Sequence, residues 1–272
     1  MKTVVKLAIF ILTLNILPAA ADLQADVETI LEKMGISQTV SQTQSFLVNS
    51  LRQEKPPIGS AKVKKFETAR DELRNVVTSP VIVGDVIAYI TENADAERVA
   101  KVLAIFESEF VKQMVEYENA LAKNGEETMR DFAAYQSKLT STPPRSLRTD
   151  LVLRLDAAAK ATTITTALQY EIAKTVKGVM DTARGVTDVP SENEMDASYI
   201  DMRAEIAFQN EEQYRNFLLF VFKNVRSKDL QAYAEIFENP DVSWFTSLCL
   251  EAIENTFREK RESLQSSLFA AK

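Results

Sequence analysis

The chain of 272 residues contains no histidine and a single cysteine, Cys249. These two absences exclude histidine-ligated zinc and haem, serine–histidine–aspartate and cysteine–histidine catalytic groups, and a disulfide within the chain. Only six glycines are present, which is few for a β-rich protein with many tight turns. The sequence therefore favours helices, and it predicts a protein without a catalytic site, a bound metal or a cofactor.

The composition is that of a globular protein with an acidic surface. Hydrophobic residues make up 46% of the chain and charged residues 26%, and the formal net charge is −7. No basic stripe offsets this charge. An acidic surface repels nucleic acid and anionic lipid, so neither is an expected partner.

The N-terminus has the three-part pattern of a secretory signal peptide, residues 1–21. Lys2 and Lys6 supply the positive region, and an apolar stretch from Leu7 to Leu17 precedes three alanines that end at Ala21. This stretch is shorter than the roughly 20 residues that cross a bilayer. We expect cleavage near Ala21, a periplasmic or secreted location, and no membrane span in the mature chain.

Apolar residues recur at spacings of three and four throughout the mature chain, which predicts an all-α, multi-helix bundle. The clearest helical face runs from Val99 to Leu121, and a second runs from Phe245 to Phe257. The alanine- and threonine-rich stretch 157–167 predicts one long central helix. Loops are expected where proline, glycine and small polar residues gather: 55–60, 124–125, 141–144 and 185–191.

The chain also aligns with itself at an offset of 131 residues, which places 83–122 opposite 214–253 without a gap. Ile105-Phe106-Glu107 then faces Ile236-Phe237-Glu238. Self-similarity at a fixed offset is typical of duplicated structural units. The alternative is that two unrelated amphipathic hairpins share the helical period.

The duplication predicts two related helical halves, residues 22–141 and 142–272, that share or abut one core. It also predicts that Glu107 and Glu238 occupy equivalent positions in the two halves. Whether the halves form one domain or two is left open by the sequence.

Residues 230–240 (LQAYAEIFENP), together with the short amphipathic helix at 30–36, resemble the bacterial secreted domain-of-unknown-function 2059 family. In that family a helix ends in an apolar-aromatic pair and is followed by Ser-Pro and a further helix. A divergent tandem copy lies between Val99 and Phe110. Here Asn239 replaces the usual serine and no glycine follows Pro240. The resemblance implies a secreted helical protein without an assigned activity, and it supplies no catalytic residues.

Aromatic residues are concentrated between Phe217 and Phe245. Core packing is the ordinary explanation, and a groove for a hydrophobic ligand or a protein partner is the alternative. Phe222 and Trp244 lie off the apolar stripes, so we expect them to be exposed. With Phe237 they are the candidate hydrophobic binding surface.

Acidic residues and the cysteine offer weaker candidates for chemistry. Glu192, Glu194 and Asp196 are spaced two apart, which suits either a loose Ca²⁺ site or a solvated loop that enters a helix capped by Ser191. Cys249 lies within the apolar stripe of the last helix, which predicts a small buried hydrophobic residue, with an intermolecular disulfide as the alternative.

Three functional hypotheses follow. The first is a secreted or periplasmic, non-enzymatic helical module that binds a protein partner or a hydrophobic ligand. The second is a cell-wall hydrolase, because Glu107-Ser108 resembles the Glu-Ser pair of secreted lytic transglycosylases, although their glycine-leucine-methionine-glutamine turn is missing. The third is a structural envelope protein that acts as a homo-oligomer.

Overall fold

The computed structural model describes residues 16–123, 125–139, 141–186 and 190–270. These residues form helices and no strand, so the predicted all-α bundle is confirmed. In chain order the helices are α1 (Ile16–Lys33), α2 (Ile36–Val40), α3 (Thr43–Gln53), α4 (Ser60–Val76), α5 (Ser79–Asn93), α6 (Ala96–Phe106), α7 (Glu109–Lys123), α8 (Gly125–Leu139), α9 (Ser146–Ala159), α10 (Ala161–Arg184), α11 (Glu192–Ser198), α12 (Ile200–Val221), α13 (Ser227–Phe237) and α14 (Pro240–Ala270).

The helix ends follow from local sequence. The Asp95 carboxylate accepts a hydrogen bond from the backbone N–H of Arg98 at 3.1 Å and so caps α6. The predicted cap at Ser191 is confirmed, because Ser191 and Glu194 form a reciprocal capping box at the start of α11. Gly185 ends α10 with a left-handed φ of 98°, a conformation that glycine adopts without steric cost.

Two helices that the sequence predicted as continuous are broken. The stripe from Val99 to Leu121 divides between α6 and α7, because the hydroxyl of Ser108 donates to the carbonyl of Ile105 at 2.7 Å and competes with the helical ladder. Asn239 and Pro240 mark the matching break between α13 and α14. The prediction of one continuous helix across this stripe was therefore wrong.

The stretch 157–167 is also broken, at Lys160, whose φ of 53° is left-handed. Asp156 compensates for the interruption, since its carboxylate accepts hydrogen bonds from the backbone N–H of Thr162 at 2.9 Å and from its hydroxyl at 2.7 Å. These bonds satisfy a backbone donor in the first turn of α10, a group without a partner inside its own helix. The corner between α9 and α10 is thus fixed by side chains that no helical periodicity reveals.

One cluster of buried side chains includes residues from both halves of the chain, so the halves share a core. α10 is central to it, because it packs on α3 and α4 of the first half and on α12 and α14 of the second. The predicted boundary at residue 141 falls in the connection between α8 and α9.

The helix boundaries support the duplication. α6 and α13 have the same length, and both ends of α6 fall on the ends of α13 when the offset of 131 residues is applied. Glu107 and Glu238 cap these helices in nearly the same backbone conformation, with φ and ψ of −84° and −7° against −78° and −9°. The preceding residues, Phe106 and Phe237, contact each other edge to face with centroids 5.7 Å apart.

The packing of the helices repeats as well. α1 packs on α5 and α6 in the first half, and α9 packs on α12 and α13 in the second. Each of these packed helices ends at a left-handed residue, Gly35 after α1 and Lys160 after α9. The two halves therefore carry the same arrangement of helix, corner and hairpin.

Residues 1–15 of the predicted signal peptide lie outside the described residues, and α1 begins at Ile16. By length and composition, no single helix in the described ranges could cross a membrane. Only Ala61–Val76 and Ser79–Asn93, bent by 59° at their junction, meet the criterion when taken as a pair.

Candidate functional site

A cavity of about 380 Å³ lies where the two halves meet. The first half contributes the corner between α1 and α2 together with α7 and α8, and the second half contributes the corner between α9 and α10 together with α12 and α13. The volume falls within the range of roughly 300–1,000 Å³ that is typical of small-molecule sites.

The two left-handed corners face this cavity from opposite halves. Met34 and Ile36 flank Gly35, and Ala159 and Ala161 flank Lys160 at the equivalent corner 125 residues later. All four flanking side chains line the cavity. The internal repeat thus places the cavity between equivalent parts of its two copies.

The walls are mainly apolar and the rim is polar. Buried or half-buried apolar side chains cover the interior: Val115, Leu155, Ile164, Phe217, Leu218 and Phe237. Exposed side chains lie at the edge: Glu32, Gln38, Gln42 and Met129. This gradient from an exposed edge to a buried apolar wall is what an amphiphilic guest requires.

Glu118 is the polar exception within the apolar wall. It lies three residues after Val115 on α7, so both side chains point to the same face. Burial raises the pKa of Glu118 to about 7. Among the described side chains, no hydrogen bond or ion pair holds its carboxyl group. A carboxyl group in this position is a single polar point that a guest can bind.

The tyrosines near Glu118 respond to its charge. Burial raises the pKa of Tyr214, and the negative charges of Glu118 and Asp156 raise it further. Tyr233 is fully buried, and burial followed by the charge of Glu118 raises the pKa of its hydroxyl in the same direction. Both hydroxyl groups therefore stay protonated and available as hydrogen-bond donors near the carboxyl group.

The predicted binding surface does not form as a unit. Phe237 lines the cavity, but Phe222 is 0% exposed and packs on Tyr233 with ring centroids 5.9 Å apart. The prediction that Phe222 is exposed was wrong because this residue lies just after α12, where the chain turns inward and the helical stripe no longer fixes its direction. Trp244 is half-buried beneath the guanidinium of Arg98, 4.2 Å from the ring centroid, and does not line the cavity.

The two repeat-equivalent glutamates also lie apart from the cavity lining. Glu107 is exposed at the end of α6. Glu238 accepts two hydrogen bonds from Arg154, at 2.7 and 2.6 Å, and the pKa of Glu238 is lowered chiefly by these bonds. Sequence analysis missed Glu118, and the available signal was a charged residue at the edge of the apolar stripe of α7.

The acidic run before α11 is occupied by cations from within the chain. Glu192 binds the fully buried Arg261 at 2.5 Å, and Asp196 binds Lys174 at 2.9 Å. Burial alone would raise the pKa of Glu192, but the hydrogen bonds and charge of Arg261 outweigh it and lower the pKa. Within the described ranges, no group of three or more acidic or cysteine side chains is arranged for a metal ion.

Arg261 also joins α14 to α10 in the core. Its guanidinium donates to the carboxylate of Glu171 at 3.2 Å and to the hydroxyl of Thr175 at 3.0 Å. Gly178 lets the side chain of Arg261 approach, since a Cβ atom there would lie 3.3 Å from its Cδ. This cluster of charges holds three helices together and has a structural role.

Cys249 is buried and is not bonded to another cysteine, as its place in the apolar stripe predicted. Burial raises the pKa of its thiol, which keeps the sulfur protonated and unreactive.

Comparison of the chain with protein families, curated proteins and solved structures found no match. The resemblance to the domain-of-unknown-function 2059 family stays a prediction. Function is therefore argued from the cavity and its side chains.

Proposed function

We propose that this protein is a secreted or periplasmic, non-enzymatic helical module that binds a small hydrophobic ligand in the cavity between its two halves. The single observation that carries the proposal is the cavity of about 380 Å³ with an apolar wall. Burying a ligand there would remove apolar surface from water on both sides, which contributes about 25 cal/mol per Å². The location rests on the N-terminal signal pattern alone.

The position of the cavity favours a ligand over the other hypotheses. Its lining comes from both halves, so an occupant would contact the two copies of the repeat at once. Glu107, on which the hydrolase hypothesis depends, is exposed and contributes nothing to the lining. The cavity therefore gives that hypothesis no support.

The test fills the cavity and measures what is lost. Ala159→Phe places a ring into the lining, whereas Ala157→Phe adds the same ring at an exposed position on the same helix. We expect the wild-type protein and Ala157→Phe to bind the neutral dye Nile red with increased fluorescence, and Ala159→Phe to lose that binding. Native mass spectrometry of residues 22–272 released from the host would identify a co-purifying ligand.

Equal dye binding by all three proteins would show that the dye lies elsewhere, and absence of binding by the wild type would refute the proposed function. Circular dichroism of the two variants checks that each still folds. The pair is matched, because both substitutions add the same volume near the end of α9.

A further inference from the structure

We infer that the ligand of this cavity carries a positively charged nitrogen, and that Glu118 binds it. The inference rests on the proposed function and adds the chemical class of the ligand. Its basis is the balance of charge around an otherwise apolar space. Glu32, Glu118 and Asp156 supply three carboxyl groups to the lining, whereas Lys33 supplies one cation.

The three carboxyl groups differ in what already binds them. Asp156 accepts two hydrogen bonds from Thr162 and is needed for the corner at the start of α10. Glu32 is exposed at the rim, where water solvates it. Glu118 is set into the apolar wall without a hydrogen bond or ion pair from a described side chain. It is therefore the group that gains most from a ligand.

A cationic head suits this environment better than the other two classes of polar head. An anion beside Glu118 would meet repulsion from Asp156 as well, and both charges raise the pKa of the neighbouring Tyr214. A neutral head leaves the buried carboxylate without a counter-charge, which is costly in an apolar wall. An ammonium group supplies both the charge and the N–H donors that the carboxylate lacks.

Aromatic rings near the carboxyl group add to the attraction. Tyr214 and Phe217 contact each other with centroids 6.3 Å apart, and both line the cavity together with Phe237. The negative face of an aromatic ring attracts an organic cation within about 6 Å of its centroid. A carboxylate beside aromatic rings is a common arrangement for recognising an alkylammonium group.

The experiment compares three probes with the same ten-carbon tail and different heads: decylammonium, decanol and decanoate. Displacement of Nile red is measured at pH 8, where Glu118, with its pKa of about 7, is mostly ionised and the amine is protonated. We expect decylammonium to bind the wild type at least about tenfold more tightly than decanol, the ratio that 1.4 kcal/mol produces. Decanoate should bind more weakly than both.

Glu118→Gln tests the assignment to one side chain. We expect the ratio between decylammonium and decanol to fall to about one in this variant, while decanol binding is retained. Glu116→Gln removes an exposed carboxylate from the same helix and should keep the wild-type ratio. Retained decanol binding also shows that Glu118→Gln folds with its cavity intact.

The outcomes separate the two proposals. If none of the three probes displaces the dye, the proposed function fails and this inference fails with it. If the probes bind equally, or if decanoate binds most tightly, the cavity remains a ligand site and the cationic class is refuted. A preference for decylammonium that survives in Glu118→Gln would refute the assignment to Glu118.

Discussion

Removing the charge at Glu118 is expected to stabilise the ligand-free protein at alkaline pH. Glu118 has a pKa of about 7 in the folded protein against an ordinary value of 4.5, because burial disfavours its ionised form. The folded state therefore holds this proton more tightly than the unfolded state does. Between these two values stability falls as pH rises, and the loss is complete above the folded pKa.

The size of the effect follows from the shift. A shift from 4.5 to about 7 is worth at most about 3 kcal/mol, since one pKa unit corresponds to 1.36 kcal/mol. The side chain is partly exposed, so solvent screening reduces this, and we expect about 1–2 kcal/mol. Glu118→Gln keeps the shape and removes the charge. For a chain of this size it should raise Tm by about 2–8 °C at pH 8.

The assay is urea unfolding of the ligand-free wild type, Glu118→Gln and Glu116→Gln at pH 4 and pH 8. Comparing variants at one pH cancels the contributions of all other titrating groups. We expect Glu118→Gln to gain stability over the wild type only at pH 8, and the exposed control at Glu116 to change little at either pH. If Glu118→Gln is less stable than the wild type at pH 8, the reasoning about burial is refuted.

Three further predictions concern other parts of the molecule. Arg261→Ala leaves two buried carboxylates without their cation and should lower the free energy of unfolding by about 3–5 kcal/mol, whereas Arg258→Ala at an exposed position should change it by less than about 1 kcal/mol; urea unfolding measures both. Lys160→Gly relieves a left-handed φ and should raise the unfolding free energy by about 0.5–1 kcal/mol, while Lys112→Gly within α7 should lower it by about 1 kcal/mol. The thiol of Cys249 should resist a disulfide reagent in native protein and react at once in denaturant; rapid native labelling would contradict its burial.

Much of the fold could be predicted because its signals are local. Spacings of three and four revealed the helices, and proline and glycine marked the loops at 55–60 and 141–144. Lys160 shows where local signals end, since a lysine carries no preference for a left-handed corner. That corner depends on Asp156 and Thr162, and nothing in the helical period distinguishes their bonding from ordinary surface polarity.

The candidate site could not be predicted for a different reason. The cavity is lined by side chains from Glu32 to Phe237, so its existence depends on how distant helices meet. The periodicity of α7 placed Val115 and Glu118 on one face, but it did not show that a space lies opposite them. Phe222 failed as a prediction in the same way, because burial of a residue after a helix end is decided by the path of the chain.

The duplication gives an argument that the charge at Glu118 serves a ligand. At the offset of 131 residues, the position equivalent to Glu118 is Cys249, which is fully buried in α14 and uncharged. The repeat therefore packs with a small apolar side chain at this position, and its helices do not require a carboxylate there. A charged residue that the fold does not need, held without a partner among the described side chains and at the expense of stability, is typical of a binding group. The difference between the two copies, one filled by a thiol and one open to the cavity, is what turns a symmetric helical repeat into a site with one polar end.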